Sequence, residues 1–176
     1  MQKKMFETDR LMLRQITQDD FDVWYEILSD AETMKYYPAP YDKAGVQRWI
    51  DWSLKNYAQY GFGLWAVILK ENGQFIGDCG ITMQNINGQQ LPEIGYHLHK
   101  KYWRRGYASE AARKCMEYAF EKLDFPAVYS YMTSENAASY GVAVKNGMKL
   151  VEEYDEDGVP HRVYAMTKQE WEALEK

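Results

Sequence analysis

The chain has 176 residues, of which 46% are hydrophobic and 27% are charged, and this composition excludes a disordered chain. The formal net charge of −5 argues against general electrostatic binding of nucleic acid or anionic lipid. Residues 1–7 lack an apolar export signal, and no apolar run approaches the ~20 residues of a membrane span. We therefore expect a cytoplasmic protein without a membrane partner. We find no linker or repeat, so we expect one domain over 1–176, with its core at about 8–168.

The two cysteines, Cys79 and Cys115, stand far apart in the chain, with no second cysteine or histidine at metal-ligand spacing. This usage argues against a disulfide framework and against a zinc site, and it favours a reducing compartment. We expect two core thiols and no bound metal.

The N-terminal part of the chain predicts one strand and two helices. Apolar and polar residues alternate over 8–16, which indicates a first strand. A helix follows to residue 28, with Asp19 or Asp20 as its N-cap. A second helix begins after Asp42, another N-cap residue, and runs to about residue 60, where Gly61 ends it.

Two Asn-Gly pairs predict a three-stranded antiparallel meander in the middle of the chain, because both residues tolerate positive φ. Asn72-Gly73 separates strands over 62–69 and 75–83, and Asn87-Gly88 precedes a strand over 91–98.

The C-terminal part contains the strongest helical pattern, over 106–123, where apolar residues recur at helical spacing. A strand over 128–133, a helix over 136–146 that ends at Gly147, and a hairpin at Asp157-Gly158 follow. The resulting order, β-α-α-β-β-β-α-β-α-β-β, predicts a mixed α/β fold.

Basic residues concentrate at the start of the strongest helix. Lys100, Lys101, Arg104 and Arg105 fall within six positions although the whole chain is acidic. The unpaired N–H groups of a helix N-terminus attract anions, and Gly106 permits a close approach of the backbone, so the segment predicts a phosphate site. The alternative is a solvated basic loop. The segment lacks the glycine patterns of dinucleotide-binding and P-loop proteins, which excludes those two phosphate-binding motifs.

Three motifs in order resemble the GCN5-related N-acetyltransferases. The segment Trp103–Ala108, WRRGYA, resembles the pyrophosphate loop of this family, and 102–111 resembles the ribosomal-protein N-terminal acetyltransferase subgroup. Arg104 replaces the usual glycine, and we expect an amide contact there only if its φ is negative. The later Asn-x-x-Ser, Lys-x-Gly segment of the family resembles residues 136–148. The opening strand of the subgroup resembles residues 8–14. The resemblance implies a mostly antiparallel, twisted sheet flanked by helices.

The resemblance also implies acetyl-CoA as co-substrate and no metal. Its pyrophosphate would lie on the amides of the loop, and its pantetheine arm would pair with the end of the preceding strand. The residues implied in cofactor binding are His97, Leu98, His99, Arg104, Arg105, Gly106, Tyr107, Ala108, Ser109 and Asn136. For the side chains of His97 and His99 we favour a structural role, because no nearby carboxylate motif accompanies them.

The implied catalytic residues are Glu93 and Ser139. Glu93 occupies the strand position where relatives carry the glutamate that deprotonates the amine, although a strand-end glutamate bonded to a neighbour explains it equally well. Relatives often place a tyrosine as proton donor seven residues after Asn136, but here that residue is Ala143. Ser139 or Tyr140 then protonates the departing thiolate, and backbone N–H near residues 97–98 stabilises the oxyanion.

The acceptor is an amine, and the favoured class is the N-terminal α-amine of a protein. A small amine, such as a polyamine, an amino acid or an aminoglycoside, is the alternative, and a silent acyl-CoA-binding module or a scaffold without nucleotide is a rival. Aromatic residues crowd the segment 24–65, and acidic residues crowd 152–157. Either segment could hold a cation, but core packing and solvation explain them equally. The sequence leaves a homodimer open.

Overall fold

The computed structural model describes residues 3–174, which form eight strands and five helices. The strands are β1 Lys4–Glu7, β2 Leu11–Gln15, β3 Leu64–Leu69, β4 Phe75–Ile86, β5 Gln89–Leu98, β6 Ala127–Thr133, β7 Lys149–Glu156 and β8 Val159–Thr167. The helices are α1 Phe21–Leu28, α2 Lys43–Tyr60, α3 Tyr107–Glu121, α4 Ala137–Lys145 and α5 Lys168–Leu174. None of the helices within this described part is long and apolar enough to cross a membrane.

One sheet contains all eight strands, in the order β1-β2-β3-β4-β5-β6-β8-β7. Every neighbouring pair is antiparallel except β5 and β6, which run parallel. The predicted mixed α/β fold and its element order are confirmed, with one additional element at each end, β1 and α5. Thr167 and Glu170 cap α5 reciprocally, at 2.9 and 3.2 Å between backbone nitrogens and side-chain oxygens. This Thr-x-x-Glu capping box was a readable signal for the missed helix.

Most predicted boundaries differ from the observed ones by a few residues. The first strand is shorter than predicted, whereas β4 and β5 extend to the Asn87-Gly88 turn, where φ is 47° and 82°. Two residues with positive φ form a two-residue hairpin turn, which lets both strands pair up to the turn itself.

The predicted helix caps have different outcomes. Asp42 caps α2 by accepting a hydrogen bond from the Gly45 amide at 2.7 Å, and Gly61 ends that helix with φ of 76°. Asp20 precedes α1 but makes no side-chain cap bond to it. Its buried carboxylate instead accepts two hydrogen bonds from Arg14, at 2.7 and 2.8 Å. Asp20 is thus the N-cap residue, as predicted, but it makes no side-chain cap bond because Arg14 and the Thr17 amide, at 2.8 Å, occupy its carboxylate.

Two apolar clusters cover the two faces of the sheet. One cluster joins the sheet to α3, α4 and α5 and includes Trp65, Met116 and Phe120. The other joins the sheet to α1 and α2 and includes Trp24 and Ile50. Burial of these side chains from water is the main favourable contribution to folding. Both faces of the sheet are therefore covered.

The two cysteines lie in the first cluster. Cys79 on β4 and Cys115 on α3 are free and fully buried, and their sulfurs are 3.7 Å apart. The prediction of two core thiols is confirmed.

A cleft begins where β5 and β6 separate. These two strands share a single registered pair, Glu93 with Tyr129. On its other side β5 pairs with β4 along its full length, which places Thr82 opposite Glu93 and Asp78 opposite His97. Successive side chains of a strand alternate between faces, so Glu93 and His97 lie on the same face of β5. That face is the one covered by α1 and α2.

We expect Gly80→Ala to destabilise the fold by at least ~2 kcal/mol, because overpacking at a close backbone contact forces the strands apart. A Cβ atom at Gly80 would lie 2.0 Å from the carbonyl oxygen of Gly63. The free energy of unfolding in urea measures this effect. Gly141→Ala is the control, because that helical position has no neighbouring heavy atom within 4 Å. The control should gain about 0.5 to 1 kcal/mol, and equal losses in both variants would contradict the close contact.

Candidate active site

A cavity of about 950 Å³ occupies the cleft between β5 and β6. Its walls come from both faces of the sheet, from the segment before α2, from the start of α4 and from the β7–β8 hairpin. Four predicted site residues line it together: Glu93, His97, Asn136 and Ser139. The sequence did not show that they share one cavity.

Glu93 is the partly buried carboxylate of this cavity. The Thr82 hydroxyl donates a hydrogen bond to its Oε2 at 3.4 Å. Burial raises the pKa of Glu93 to about 7, with a smaller upward contribution from Asp78, while His97 and the bond from Thr82 act in the opposite direction. A carboxylate with this pKa exchanges its proton near neutral pH, which is what a general base requires.

His97 belongs to a polar network that sequence reasoning missed. Its Nδ1 lies 3.0 Å from Oδ1 of Asp78, and the Trp24 indole donates to Oδ2 of Asp78 at 2.7 Å. Asp78 is fully buried and His97 is 8% exposed. The expectation that no carboxylate accompanies this histidine was wrong. The register of the β4–β5 hairpin could have found the partner, because pairing outward from the Asn87-Gly88 turn sets residue 78 opposite 97.

The hydrogen bonds of β5 show which of its backbone groups face the cleft. The His99 amide donates to the Ile76 carbonyl at 2.8 Å, so its backbone points toward β4. In an antiparallel pair, the direction of the backbone N–H and C=O groups alternates from one residue to the next. The backbone groups of His97 therefore also point toward β4, and those of Tyr96 and Leu98 point toward the open edge. Of the three strand residues predicted to contact the pantetheine arm, only Leu98 thus turns its backbone toward the open edge, and Tyr96 does so as well. His99 has a side-chain contact of its own, with Glu26 at 3.2 Å.

Ser139 lies at the opposite wall of the cleft, in the first turn of α4. Its amide donates to Oδ1 of Asn136 at 3.1 Å, so Asn136 caps the helix. The Tyr96 hydroxyl donates to the Ser139 carbonyl at 2.7 Å and lies 3.1 Å from Ser139 Oγ. Burial raises the pKa of Tyr96, against a lowering contribution from Ser139. Tyr96 is a second missed residue, because a strand tyrosine carries no sequence signal of proximity to a helix serine.

Tyr140 and Ala143 lie away from the cavity. The Tyr140 ring stacks on Tyr164, with centroids 6.2 Å apart, and Arg162 Cζ lies over the Tyr140 ring, 5.2 Å from its centroid. Ala143 is buried in the core. The structure therefore favours Ser139 over Tyr140 as the hydroxyl that faces the cleft.

The predicted phosphate loop leads into the N-terminus of α3. Gly106 is the N-cap, with φ of 80°, and Arg104 has φ of 59°. The condition for an amide contact at Arg104, a negative φ, is therefore not met: the arginine adopts the left-handed conformation, at a cost of about 1 kcal/mol. A Cβ atom at Gly106 would lie 3.4 Å from Nη2 of Arg10 and 3.7 Å from Nζ of Lys145. Two cations from distant segments thus flank the helix start.

Glu110 of α3 holds this loop against the start of β2. It accepts hydrogen bonds from Thr8 Oγ1 at 2.5 Å, from the Arg10 amide at 3.0 Å and from Arg10 Nε at 2.7 Å. Against the raising effect of burial, these bonds lower the pKa of Glu110. Arg10 also donates to the Arg105 carbonyl at 2.9 Å and lies over the Tyr107 ring at 4.4 Å. This clamp gives a physical reason why the opening motif and the loop motif occur together.

The loop amides of Tyr107, Ala108 and Ser109 fall in the first turn of α3, where helix N–H groups have no partner within the helix. The side chains of Arg104 and Arg105 are exposed beside them. The arrangement fits a diphosphate. Among residues 3–174 we find no cluster of histidine, cysteine, aspartate or glutamate placed to hold a metal ion.

The aromatic and acidic segments divide between core and cavity. From the aromatic segment, Tyr37, Tyr41 and Trp49 line the cavity, whereas Trp24 and Trp65 are fully buried. From the acidic segment, Glu156 and Asp157 line the cavity, while Glu153 pairs with Arg162 at 2.9 Å. Part of each segment therefore contributes to the wall around the acceptor side.

Comparisons with known proteins agree with this geometry. Residues 10–149 match the family model described as acetyltransferase (GNAT) domain. The chain is 37% identical to uncharacterized protein YkkB of Bacillus subtilis over 147 residues, which cover 83% of this chain and 86% of that protein. It is 34% identical to uncharacterized N-acetyltransferase p20 of Bacillus licheniformis, with 75% of each chain covered.

The fold also matches solved structures. The structure of RimL, a ribosomal L7/L12 alpha-N-protein acetyltransferase in complex with coenzyme A, superposes with a TM-score of 0.77 at 16% identity. The match covers 94% of this chain and 98% of RimL, and at this identity it shows the fold alone. Together, the family model and the two bacterial relatives show that the chain belongs to the GNAT acetyltransferase family.

Proposed function

We propose that the chain transfers the acetyl group of acetyl-CoA to an α-amine by direct attack in a ternary complex, with Glu93 as the base. The observation that carries this proposal is the Glu93 carboxylate in the cavity, whose pKa burial raises to about 7. The carboxylate takes the proton of the acceptor ammonium, and the neutral amine attacks the thioester carbonyl. Backbone N–H at the open edge of β5, at Leu98, stabilises the oxyanion.

The pKa of Glu93 bears on the class of amine. Transfer of a proton from an α-ammonium group, with a pKa of about 7.8, to Glu93 costs about 1 kcal/mol. Transfer from a lysine-like ammonium group, with a pKa of about 10.4, costs about 4.6 kcal/mol. Glu156 and Asp157 at the cavity wall add negative charge that attracts a cationic acceptor. A protein N-terminus as the carrier of the α-amine is supported by the motif resemblance to the ribosomal-protein subgroup.

The departing thiolate needs a proton, and in this proposal Ser139 delivers it. Ser139 Oγ donates its proton to the sulfur and takes up the proton that the amine nitrogen loses as the amide forms, while the Tyr96 hydroxyl, which donates to the Ser139 carbonyl and lies 3.1 Å from Ser139 Oγ, positions this serine. Because a thiol has a pKa of about 8.5, the thiolate needs only a weak acid. The effect of this relay on the rate is therefore modest.

A small amine is the second candidate acceptor. The volume of about 950 Å³ falls within the range of pockets that enclose a small molecule. Aromatic side chains such as Tyr41 and Trp49 line its wall and could cover an amino acid or a polyamine.

Glu93→Gln should lower kcat/KM by about 100-fold or more in an assay of thiol release with acetyl-CoA and trialanine. The wild-type rate should rise with pH through about 7, as the Glu93 carboxylate forms. The rate of the variant should instead rise with the neutral fraction of the acceptor, whose α-ammonium group has a pKa of about 7.8. The same assay with alanine and spermidine ranks the acceptor classes. Binding of coenzyme A without turnover of any amine would identify a silent module instead.

Stability provides the control for Glu93→Gln. Because folding raises the pKa of Glu93, this glutamate ionises more readily in the unfolded chain than in the folded protein. The folded protein therefore loses stability as the pH rises from about 4.5 to about 7. The free energy of unfolding of the wild type should fall by up to ~3 kcal/mol over this window, and that of the variant should not. Urea unfolding at pH 4.5 and pH 8 measures both. A variant that is less stable than the wild type at pH 8 would indicate a structural role.

Gly106→Trp should weaken coenzyme A binding by at least about tenfold, because its side chain fills the space between Arg10 and Lys145. Titration calorimetry measures the Kd. Gly88→Trp is the matched control, with φ of 82° in a hairpin turn and no neighbouring heavy atom within 4 Å. Unchanged affinity in Gly106→Trp would show that the diphosphate binds elsewhere.

Ser139→Ala and Tyr96→Phe should each lower kcat by about tenfold, and the double variant should lose little more, because residues that act as a unit are not additive. Rapid-quench measurement of acetyl transfer separates this step from product release. Tyr140→Phe, whose ring packs on Tyr164, should leave kcat unchanged. A larger loss in Tyr140→Phe than in Ser139→Ala would reverse the assignment.

A further inference from the structure

The pair formed by Asp78 and His97 has no role in the chemistry described so far. Asp78 is fully buried, accepts a hydrogen bond from the Trp24 indole at 2.7 Å and faces Nδ1 of His97 at 3.0 Å. A buried polar network of this kind orients its members, since each bond restricts the ring or carboxylate that makes it. His97 is therefore held in one orientation beside the cavity.

One atom of this network lacks a partner. Within the described residues, Nε2 of His97 is buried and makes no hydrogen bond. Burial lowers the pKa of His97, but Asp78 and Glu93 outweigh it and raise that pKa above its ordinary value. This direction favours the charged ring, in which both nitrogens are N–H donors and Asp78 uses only Nδ1–H. The free Nε2–H needs an oxygen acceptor, because an unsatisfied buried donor is costly.

The position of His97 relative to Glu93 suggests where that oxygen comes from. The two side chains share one face of β5, four residues apart, which corresponds to about 13 Å between their Cα atoms. Both side chains line the same cavity. An extended peptide advances about 3.3 to 3.6 Å per residue, so a three-residue peptide whose amine lies at Glu93 covers about 10 Å of this separation, and the His97 side chain at the cavity wall shortens the remaining distance.

The neighbours of the His97 ring show how an acceptor reaches it. The rings of Tyr37 and Trp49 lie 5.3 and 5.7 Å from it, centroid to centroid. Tyr37 is 38% exposed and belongs to the irregular segment between α1 and α2. Tyr37, Trp49 and His97 line the cavity together, so an acceptor in the cavity reaches His97 beside these two rings.

We propose that Nε2 of His97, oriented by Asp78, donates a hydrogen bond to a carbonyl or carboxylate oxygen of the acceptor. This pair then selects peptides and amino-acid derivatives over alkylamines that carry no oxygen. The inference rests on the proposed function, because it assumes that the amine lies at Glu93. A site built to hydrogen-bond one group of its substrate discriminates strongly against an analogue that lacks this group.

Two acceptors and two variants test this role. Trialanine carries the oxygens and butylamine does not, and thiol release gives kcat/KM for each. His97→Leu should lower kcat/KM for trialanine at least about tenfold more than that for butylamine, because the change in the pKa of Glu93 affects both acceptors alike. His97→Gln keeps an amide donor and should recover part of the loss with trialanine. The ratio of kcat/KM in the variant to kcat/KM in the wild type is taken for each acceptor separately. This ratio removes the difference between the amine pKa values of the two acceptors.

The outcomes separate this inference from the proposed function. Equal losses for both acceptors in His97→Leu would indicate a structural role and overturn the inference, while the transferase activity stands. Wild-type preference for butylamine would also overturn it. Absence of turnover with every amine would overturn the proposed function and this inference with it.

A binding measurement on the wild type covers the case in which the variants do not fold. With coenzyme A present, addition of trialanine should shift the imidazole Nε2 resonance of His97 in nitrogen NMR, and butylamine should not. The chain has three histidines, so the signal is assigned readily. No shift of that resonance with trialanine would contradict the proposed hydrogen bond.

Discussion

The separation of β5 from β6 is the constraint on which the rest of the site depends. The two strands share one registered pair, at Glu93, and beyond it the edge of β5 has no strand partner among residues 3–174. Backbone N–H and C=O groups at such an edge require partners, which makes it a site for an amide-rich ligand. The same separation lets side chains from both faces of the sheet line one cavity. It also leaves Glu93 enclosed enough for burial to raise its pKa.

The clamp around Glu110 is the second element that organises the site. Thr8 and Arg10 come from the beginning of the chain, and their bonds to Glu110 hold the start of α3 against β2. Arg10 and Lys145 then lie on either side of Gly106. Positive side chains and unpaired helix amides at one place favour a diphosphate electrostatically. The cofactor side of the site thus depends on contacts between segments that are distant in sequence.

Much of the site could be predicted from motifs, because a motif reports residues that lie close along the chain. Glu93, Asn136 and Ser139 were named from sequence, and the structure brings all three to one cavity. Tyr96 and His97 were missed in their side-chain roles for different reasons. Contact between Tyr96 and Ser139 depends on how α4 packs across the cleft, which no local pattern encodes. The partner of His97 follows from hairpin register, a signal that was present but unused.

The sequence by itself determined the element order, the phosphate loop and the residue types available for chemistry, because these depend on local periodicity, turn residues and short spacing. Only the tertiary structure decided which polar groups are buried together. The raised pKa of Glu93 and the pairing of Asp78 with His97 both arise from neighbours brought in by packing. Burial and charge proximity are properties of three-dimensional distance, and distance along the chain does not report them.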